Sequence, residues 1–284
     1  MTVSTGSTAA PVAARRLIGR DARFAARALD AGAVVAHAFA NFYAITTRAD
    51  EAMVRRVNLM KGRPPTQVGS ITAPPNAIRD VWDFGGLPAG LTRRRILQLV
   101  DAFFTLGPFG FRGPAAAHVP AHLTLPDGPI TTTQVIAPGY ACGSSTFLAA
   151  AMRATGDDFL YITSANRSRH VTGADESPAH WRADGLRAEF GDEPGLLILE
   201  HDDEAVARAR YPRYLPMSTT ILGFHRVEHV AGDRRPHLVL ERHGSMPIED
   251  VRSVLADFGF GLVLGPTATT RLTVRDYASR LTDR

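Results

Sequence analysis

Short, uninterrupted apolar runs alternate along this chain with stretches of helical spacing, and that alternation limits the fold more than any other feature. Val34-Val35-Ala36, Phe159-Leu160-Tyr161-Ile162-Thr163 and Leu196-Leu197-Ile198-Leu199 read as buried strands. Further strands are expected over 67–72, 131–136, 217–222, 237–240 and 261–264. Apolar residues recur at helical spacing over 21–29, 50–60, 93–104, 143–154 and 247–258, with a shorter helix over 78–84. Strands and helices in alternation are the pattern of an α/β protein. The segments 38–43 and 104–129 read as loops and edge strands, because Gly and Pro interrupt the second. The polar stretch 175–190 reads as peripheral.

A chain of 284 residues can bury one large core, and no repeat or long linker divides it. The expectation is a leader over 1–14, rich in Ser, Thr, Ala and Pro, followed by one domain over 15–284. Apolar residues make up 45% and charged residues 21%, a globular balance, and the net charge of +4 tolerates anionic partners. The one cysteine, Cys142, excludes an intrachain disulfide and a multi-cysteine zinc site, which fits a reducing cytoplasm. The longest apolar run, 31–45, is broken by His37 and Asn41 and is too short for a bilayer, so no membrane role is expected.

Lys61 is the only lysine among 32 Lys and Arg residues. A surface that needs only positive charge can use either type, whereas a site that needs a compact ammonium on a flexible stem cannot. It sits in Met60-Lys61-Gly62-Arg63-Pro64-Pro65, at the expected end of a helix capped by Asp50. Gly62 permits close backbone approach, Arg63 adds a planar fork, and the prolines stop the helix. The group suits a polyanion such as a nucleoside triphosphate; an ordinary basic helix terminus is the plainer reading.

A second stretch, Ser164-Ala165-Asn166-Arg167-Ser168, follows the strand over 159–163. Ligands of open α/β sheets sit at the carboxyl ends of strands, where Ser164 and Asn166 offer a hydroxyl and an amide. A turn closed on its own backbone is the alternative. Arg93-Arg94-Arg95 reads as a solvated patch or a phosphate contact, and His201-Asp202-Asp203-Glu204 as a solvated helix N-terminus rather than a metal site.

The order of these pieces resembles the YrdC/Sua5 family, whose best-known members are threonylcarbamoyl-AMP synthases acting in tRNA modification. Lys61/Arg63 and Ser164/Asn166 match its Lys-x-Arg and Ser-x-Asn pairs, Ser218-Thr219-Thr220 its Ser-Thr strand, and Arg242-His243-Gly244 its Arg-Pro-Gly turn. The resemblance implies an open, twisted, mixed β-sheet with flanking helices around a basic cavity. It implies ATP and Mg2+, with bicarbonate as co-substrate, bound by Lys61, Arg63, Ser164, Asn166, Ser218 and Arg242, with Lys61 and Arg63 catalytic. The family's threonine loop, Pro-Thr-x-Thr-x-Tyr-Gly-Leu, reads here Ala38-Phe39-Ala40-Asn41-Phe42-Tyr43-Ala44-Ile45. Phe39, Asn41 and Tyr43 would then line the amine site. Ile136 stands where the family has an arginine, and Arg169 where it has a glycine. The implied activity is formation of a carbamoyl-adenylate from bicarbonate and an amine other than threonine, or carbamoyl transfer through one, with no side chain acting as covalent nucleophile. The alternatives are a genuine threonylcarbamoyl-AMP synthase and a non-catalytic module binding nucleotide or double-stranded RNA.

Overall fold

The computed structural model describes residues 14–16, 19–168 and 176–277. The leader expected over 1–14 lies, but for Ala14, outside the described residues, as does Arg169.

Its strands are β1 (Ala14–Arg16), β2 (Val34–Phe39), β3 (Phe42–Thr47), β4 (Ser70–Thr72), β5 (Phe109–Pro114), β6 (Thr124–Asp127), β7 (Ile130–Ala137), β8 (Leu160–Ser164), β9 (Leu196–Glu200), β10 (Ile221–Glu228), β11 (His237–Arg242) and β12 (Gly261–Leu264). Its helices are α1 (Gly19–Asp30), α2 (Glu51–Lys61), α3 (Arg93–Leu106), α4 (Ser144–Thr155), α5 (Ala183–Phe190), α6 (Glu204–Arg210) and α7 (Ile248–Asp257). The strands form one open mixed sheet in the order β1-β9-β2-β3-β8-β4-β7-β5-β10-β11-β12, with β6 paired to β7 off that path. Helices α1 and α4 cover one face, where Ala22, Ala25, Leu29, Phe147 and Leu148 pack on Val35, Leu160 and Leu197. On the other side α2, α3, α5 and α7 contribute Val57, Phe103, Leu186 and Leu255 to a second, larger core. No described helix is long and apolar enough to cross a membrane.

Two segments correct the expectations. The segment 38–43 is not a loop: β2 and β3 form an antiparallel hairpin with Phe39 opposite Phe42. Its turn is Ala40-Asn41, and Ala40 takes φ 56° without being glycine. Small residues there gave no glycine or proline signal for a two-residue turn. The second correction is β5, expected among edge strands but found between β7 and β10. Its alternate residues Phe109 and Phe111 are fully buried, and Phe103 stacks on Phe109 at 4.1 Å. Gly110 sits between them and Gly113 two residues beyond: a Cβ at Gly110 would stand 2.7 Å from the Ile221 side chain, and one at Gly113 would meet the Phe224 ring at 2.3 Å. The glycines that look like breakers are therefore fitted to close packing against neighbouring strands.

Candidate functional site

Strands β7 and β8 run in opposite directions on either side of β4, and residues of both line one region of the sheet together with the carboxyl end of β11 and the segment that leads into β10. A cavity of about 260 Å³ opens there. Arg63, Ser164, Asn166, Ser218 and Arg242 all line it, so residues from four separate stretches of sequence meet in one place.

The basic residues reach it from the end of α2. Asp50 caps that helix, accepting from the Met53 N–H at 3.0 Å. Gly62 ends it at φ 75°, donating to Asn58 and Leu59 carbonyls. A Cβ at Gly62 would stand 2.7 Å from the Ser168 carbonyl, so this turn needs glycine twice over, for conformation and for space. The turn brings Lys61 beneath the loop after β8. There the Lys61 ammonium, fully buried, donates to the Ser164 carbonyl and, at 3.3 Å, to Asn166 Oδ1. Burial, with Arg63 close by, holds its pKa well below that of an ordinary lysine. Lys61 thus organises the cavity floor; Arg63 reaches the cavity itself. Arg63 Nη1 donates to Thr163 Oγ1 at 2.8 Å and Nη2 to Glu176.

Glu176 is a site residue that the sequence did not disclose, since it lies in the stretch read as peripheral. Its Oε1 also accepts from Asn166 Nδ2 at 3.1 Å. Burial alone would raise this carboxyl, but the charges of Arg63 and Lys61 and the hydrogen bonds prevail and hold it at about 2. Arg242 lines the same cavity; its Nε donates to the Thr219 carbonyl at 2.8 Å and its Nη2 to Thr219 Oγ1 at 3.0 Å. Burial lowers its pKa to about 10, which leaves it cationic. Ser218 and Thr219 precede β10 rather than opening it, and both line the cavity.

The hairpin residues expected at the amine site are not brought together with these groups. Phe39 is wholly buried behind the cavity wall, its ring edge-to-face with Phe42 at 5.5 Å. Asn41 points away and donates from Nδ2 to the Tyr214 carbonyl at 2.6 Å. Tyr43 faces the opposite side of the sheet, where its hydroxyl donates to Glu204 Oε1 at 3.0 Å. The reason is the strand period of two: once 42–47 is a strand, Phe42 and Ala44 face the cavity and Tyr43 cannot. With Ile136, Ile162 and Ala179 these two form one apolar wall.

Three other sequence features have structural employment. Arg95 donates to the Phe258 carbonyl at 2.6 Å and the Gly259 carbonyl at 3.0 Å and lies over the Phe260 ring, finishing α7 instead of binding phosphate. Asp203 caps α6, its Oδ1 accepting from the Ala205 and Val206 N–H groups. Cys142 is buried and its Sγ accepts from the Ala40 N–H at 3.2 Å. Among the described residues no group of three or more His, Cys, Asp or Glu is arranged to hold a metal ion.

No family model and no curated protein matches the sequence. Solved structures do match the fold. Sua5 from P. abyssi, crystallised with L-threonine, superposes with a TM-score of 0.60 at 18% identity over 92% of this chain. The match spans 66% of the Sua5 chain's own length. A hypothetical protein from Streptococcus mutans UA159 gives 0.62 at 14% identity, covering 90% of this chain and 99% of its own. E. coli YciO gives 0.53 at 13% identity, covering 81% of this chain and 95% of its own. The architecture expected from the motif resemblance is the one found: the protein carries the Sua5/YrdC-like fold, in a form widely divergent in sequence.

Proposed function

We propose that this protein is an ATP-dependent, adenylate-forming enzyme that builds a carbamoyl-adenylate from bicarbonate and an amine. One observation carries the reading: Arg63, Ser164, Asn166, Ser218 and Arg242, scattered over 180 positions of sequence, converge on a single cavity against the mixed sheet. Ser164 and Asn166 stand at and just past the carboxyl end of β8, the position at which open α/β sheets take ligands. In the reaction the amine adds to bicarbonate with loss of water, and a carbamate oxygen attacks the α-phosphorus of ATP. The bond to the β-phosphate breaks and pyrophosphate leaves. Arg242 and the Ser218 and Thr219 hydroxyls receive phosphate oxygens, and preorganised donors of this kind stabilise the charge that develops as pyrophosphate departs. Mg2+ would be carried by the phosphates, a role in which it needs few protein ligands.

The amine is expected to be more apolar than threonine. The cavity wall of Phe42, Ala44, Ile136, Ile162 and Ala179 offers no hydrogen bond to a side-chain hydroxyl. Burying one against it unpaired costs about 1–3 kcal/mol. The sequence-based expectation rested on Phe39; in the structure Phe42 and Ile136 are the residues that support it. The test is a pyrophosphate-release screen with ATP, bicarbonate and a panel of amines. Release that depends on both bicarbonate and an apolar amine is expected, with threonine inactive. Release that threonine stimulates best would point to a threonylcarbamoyl-AMP synthase, and a lack of release with any amine would overturn the enzymatic reading.

A further inference from the structure

Three stretches that line the cavity, 164–166, 176–179 and 272–273, come from separate parts of the chain. Beyond Ser164, the last residue of β8, none of them is helix or strand, so no ladder fixes their mutual placement. All three are tied to one carboxylate that does not itself line the cavity. Glu189, in the last turn of α5, accepts at Oε1 from the Arg167 N–H at 2.7 Å. Its Oε2 accepts from His180 Nε2 at 2.9 Å and from Arg275 Nη1 at 2.8 Å. Arg167 directly follows Asn166, His180 directly follows Ala179, and Arg275 stands two residues past Thr273. The ties are cross-braced. Arg275 Nε donates to the Pro178 carbonyl at 2.7 Å, and Trp181 Nε1 to the Arg275 carbonyl at 2.9 Å. With its Nε2 proton directed at Glu189, the His180 ring accepts at Nδ1 from the Tyr277 hydroxyl at 2.8 Å.

The Glu189 side chain is 11% exposed. Burial alone would raise its pKa, but the His180 ring, the Arg167 N–H and the Arg275 charge prevail and hold it at about 2, so its hydrogen bonds are charge-assisted at neutral pH. We infer that Glu189 is a positioning residue for the proposed reaction: from behind the cavity wall it sets the placement of 164–166, 176–179 and 272–273 relative to one another. The inference rests on the proposed reading in taking this cavity as the reaction site. Donors that must meet phosphate oxygens tolerate little displacement, since a shift of about 1 Å can cost about 10²-fold in rate. Charge alone predicts the opposite effect. The Glu189 carboxylate acts on the buried Lys61 ammonium, so removing its charge by itself makes the cavity surroundings more positive and favours an anion.

Amide hydrogen exchange and calorimetry with inorganic pyrophosphate, both on the full chain, test this. Glu189→Gln keeps the shape, but one of its two ends becomes a donor and can no longer accept. Exchange at hydrogen-bonded amides is expected to quicken at least tenfold in 164–168, 176–181 and 271–277 together, with β2 and β9 within twofold of the wild type. Pyrophosphate is expected to bind this variant at least fivefold more weakly. Glu189→Asp keeps the charge on a stem one methylene shorter and is expected to weaken pyrophosphate in the same direction; it carries the comparison if Glu189→Gln fails to fold. Arg275→Gln cuts one tie and is expected to quicken 176–181 and 271–277 while 164–168 stays within twofold. Quickening spread evenly over the whole chain marks a general stability role and overturns the inference, as does quickening confined to α5. Pyrophosphate that binds Glu189→Gln unchanged or more tightly than the wild type also overturns it. If the wild-type chain binds no pyrophosphate while the three segments still loosen together, the proposed reaction falls and the positioning role stands.

Discussion

Lys61 shows how one residue can be singled out by sequence and still be given its role by its surroundings. An ammonium fully withdrawn from water needs partners for its donors, and the Ser164 carbonyl and Asn166 Oδ1 engage two of the three. The pair Lys61 and Asn166, read from sequence as two separate ligand groups, is therefore one hydrogen-bonded unit. Lys61→Met keeps the length of the stem and removes the donor, leaving Asn166 Oδ1 without this partner while the Ser164 carbonyl keeps the Asn166 N–H at 3.1 Å. The expected cost is about 1–3 kcal/mol, read as a fall in the urea midpoint at unchanged slope. If stability is unchanged while nucleotide affinity falls, Lys61 contacts ligand directly and is not a floor residue.

At the scale of elements, the β2–β3 hairpin decides which side chains the cavity receives. Its turn is held from outside, by the Asn41 amide on the Tyr214 carbonyl and by Cys142 on the Ala40 N–H. Asn41→Ala removes the first tie and is expected to cost about 1 kcal/mol, with pyrophosphate affinity unchanged within twofold. Thermal unfolding and calorimetry on the same sample separate the two outcomes. A loss of affinity with no loss of stability would return Asn41 to the binding role expected from the motif. The same element explains why that expectation pointed to the wrong face. An eight-residue motif read as a loop carries no facing information, whereas a strand assigns alternate residues to opposite sides.

For the molecule as a whole, acid stability follows from groups buried on both sides of the sheet. Burial lowers the His37 pKa to about 3 and that of His201 to about 4, so both stay neutral in the folded chain. As pH falls below 6.5 the unfolded chain protonates these imidazoles first, and stability is lost down to about pH 3. Glu176 and Glu189 are held at about 2, so the unfolded chain gains protons at them below about pH 4.5 and stability falls further. All four contributions share one sign: stability rises with pH across the acid range. Urea midpoints taken from pH 8 to pH 3 should show this, and Glu176→Gln should flatten only the part below pH 4.5; a midpoint independent of pH would contradict the burial of these groups. The motifs at Ser218 and Arg242 were legible only through the family resemblance. The sequence by itself determined the α/β class, the helix that ends at Lys61-Gly62 and the strand that runs into Ser164. Those are local matters of period, capping and composition, carried by neighbouring residues. Only the tertiary structure decided that β5 is interior, that Tyr43 and Asn41 face away from the cavity, and that Glu176 faces Arg63 across 113 positions of chain. Those facts depend on which strands pair and which face each presents, and non-local pairing leaves no mark in a stretch of sequence read alone.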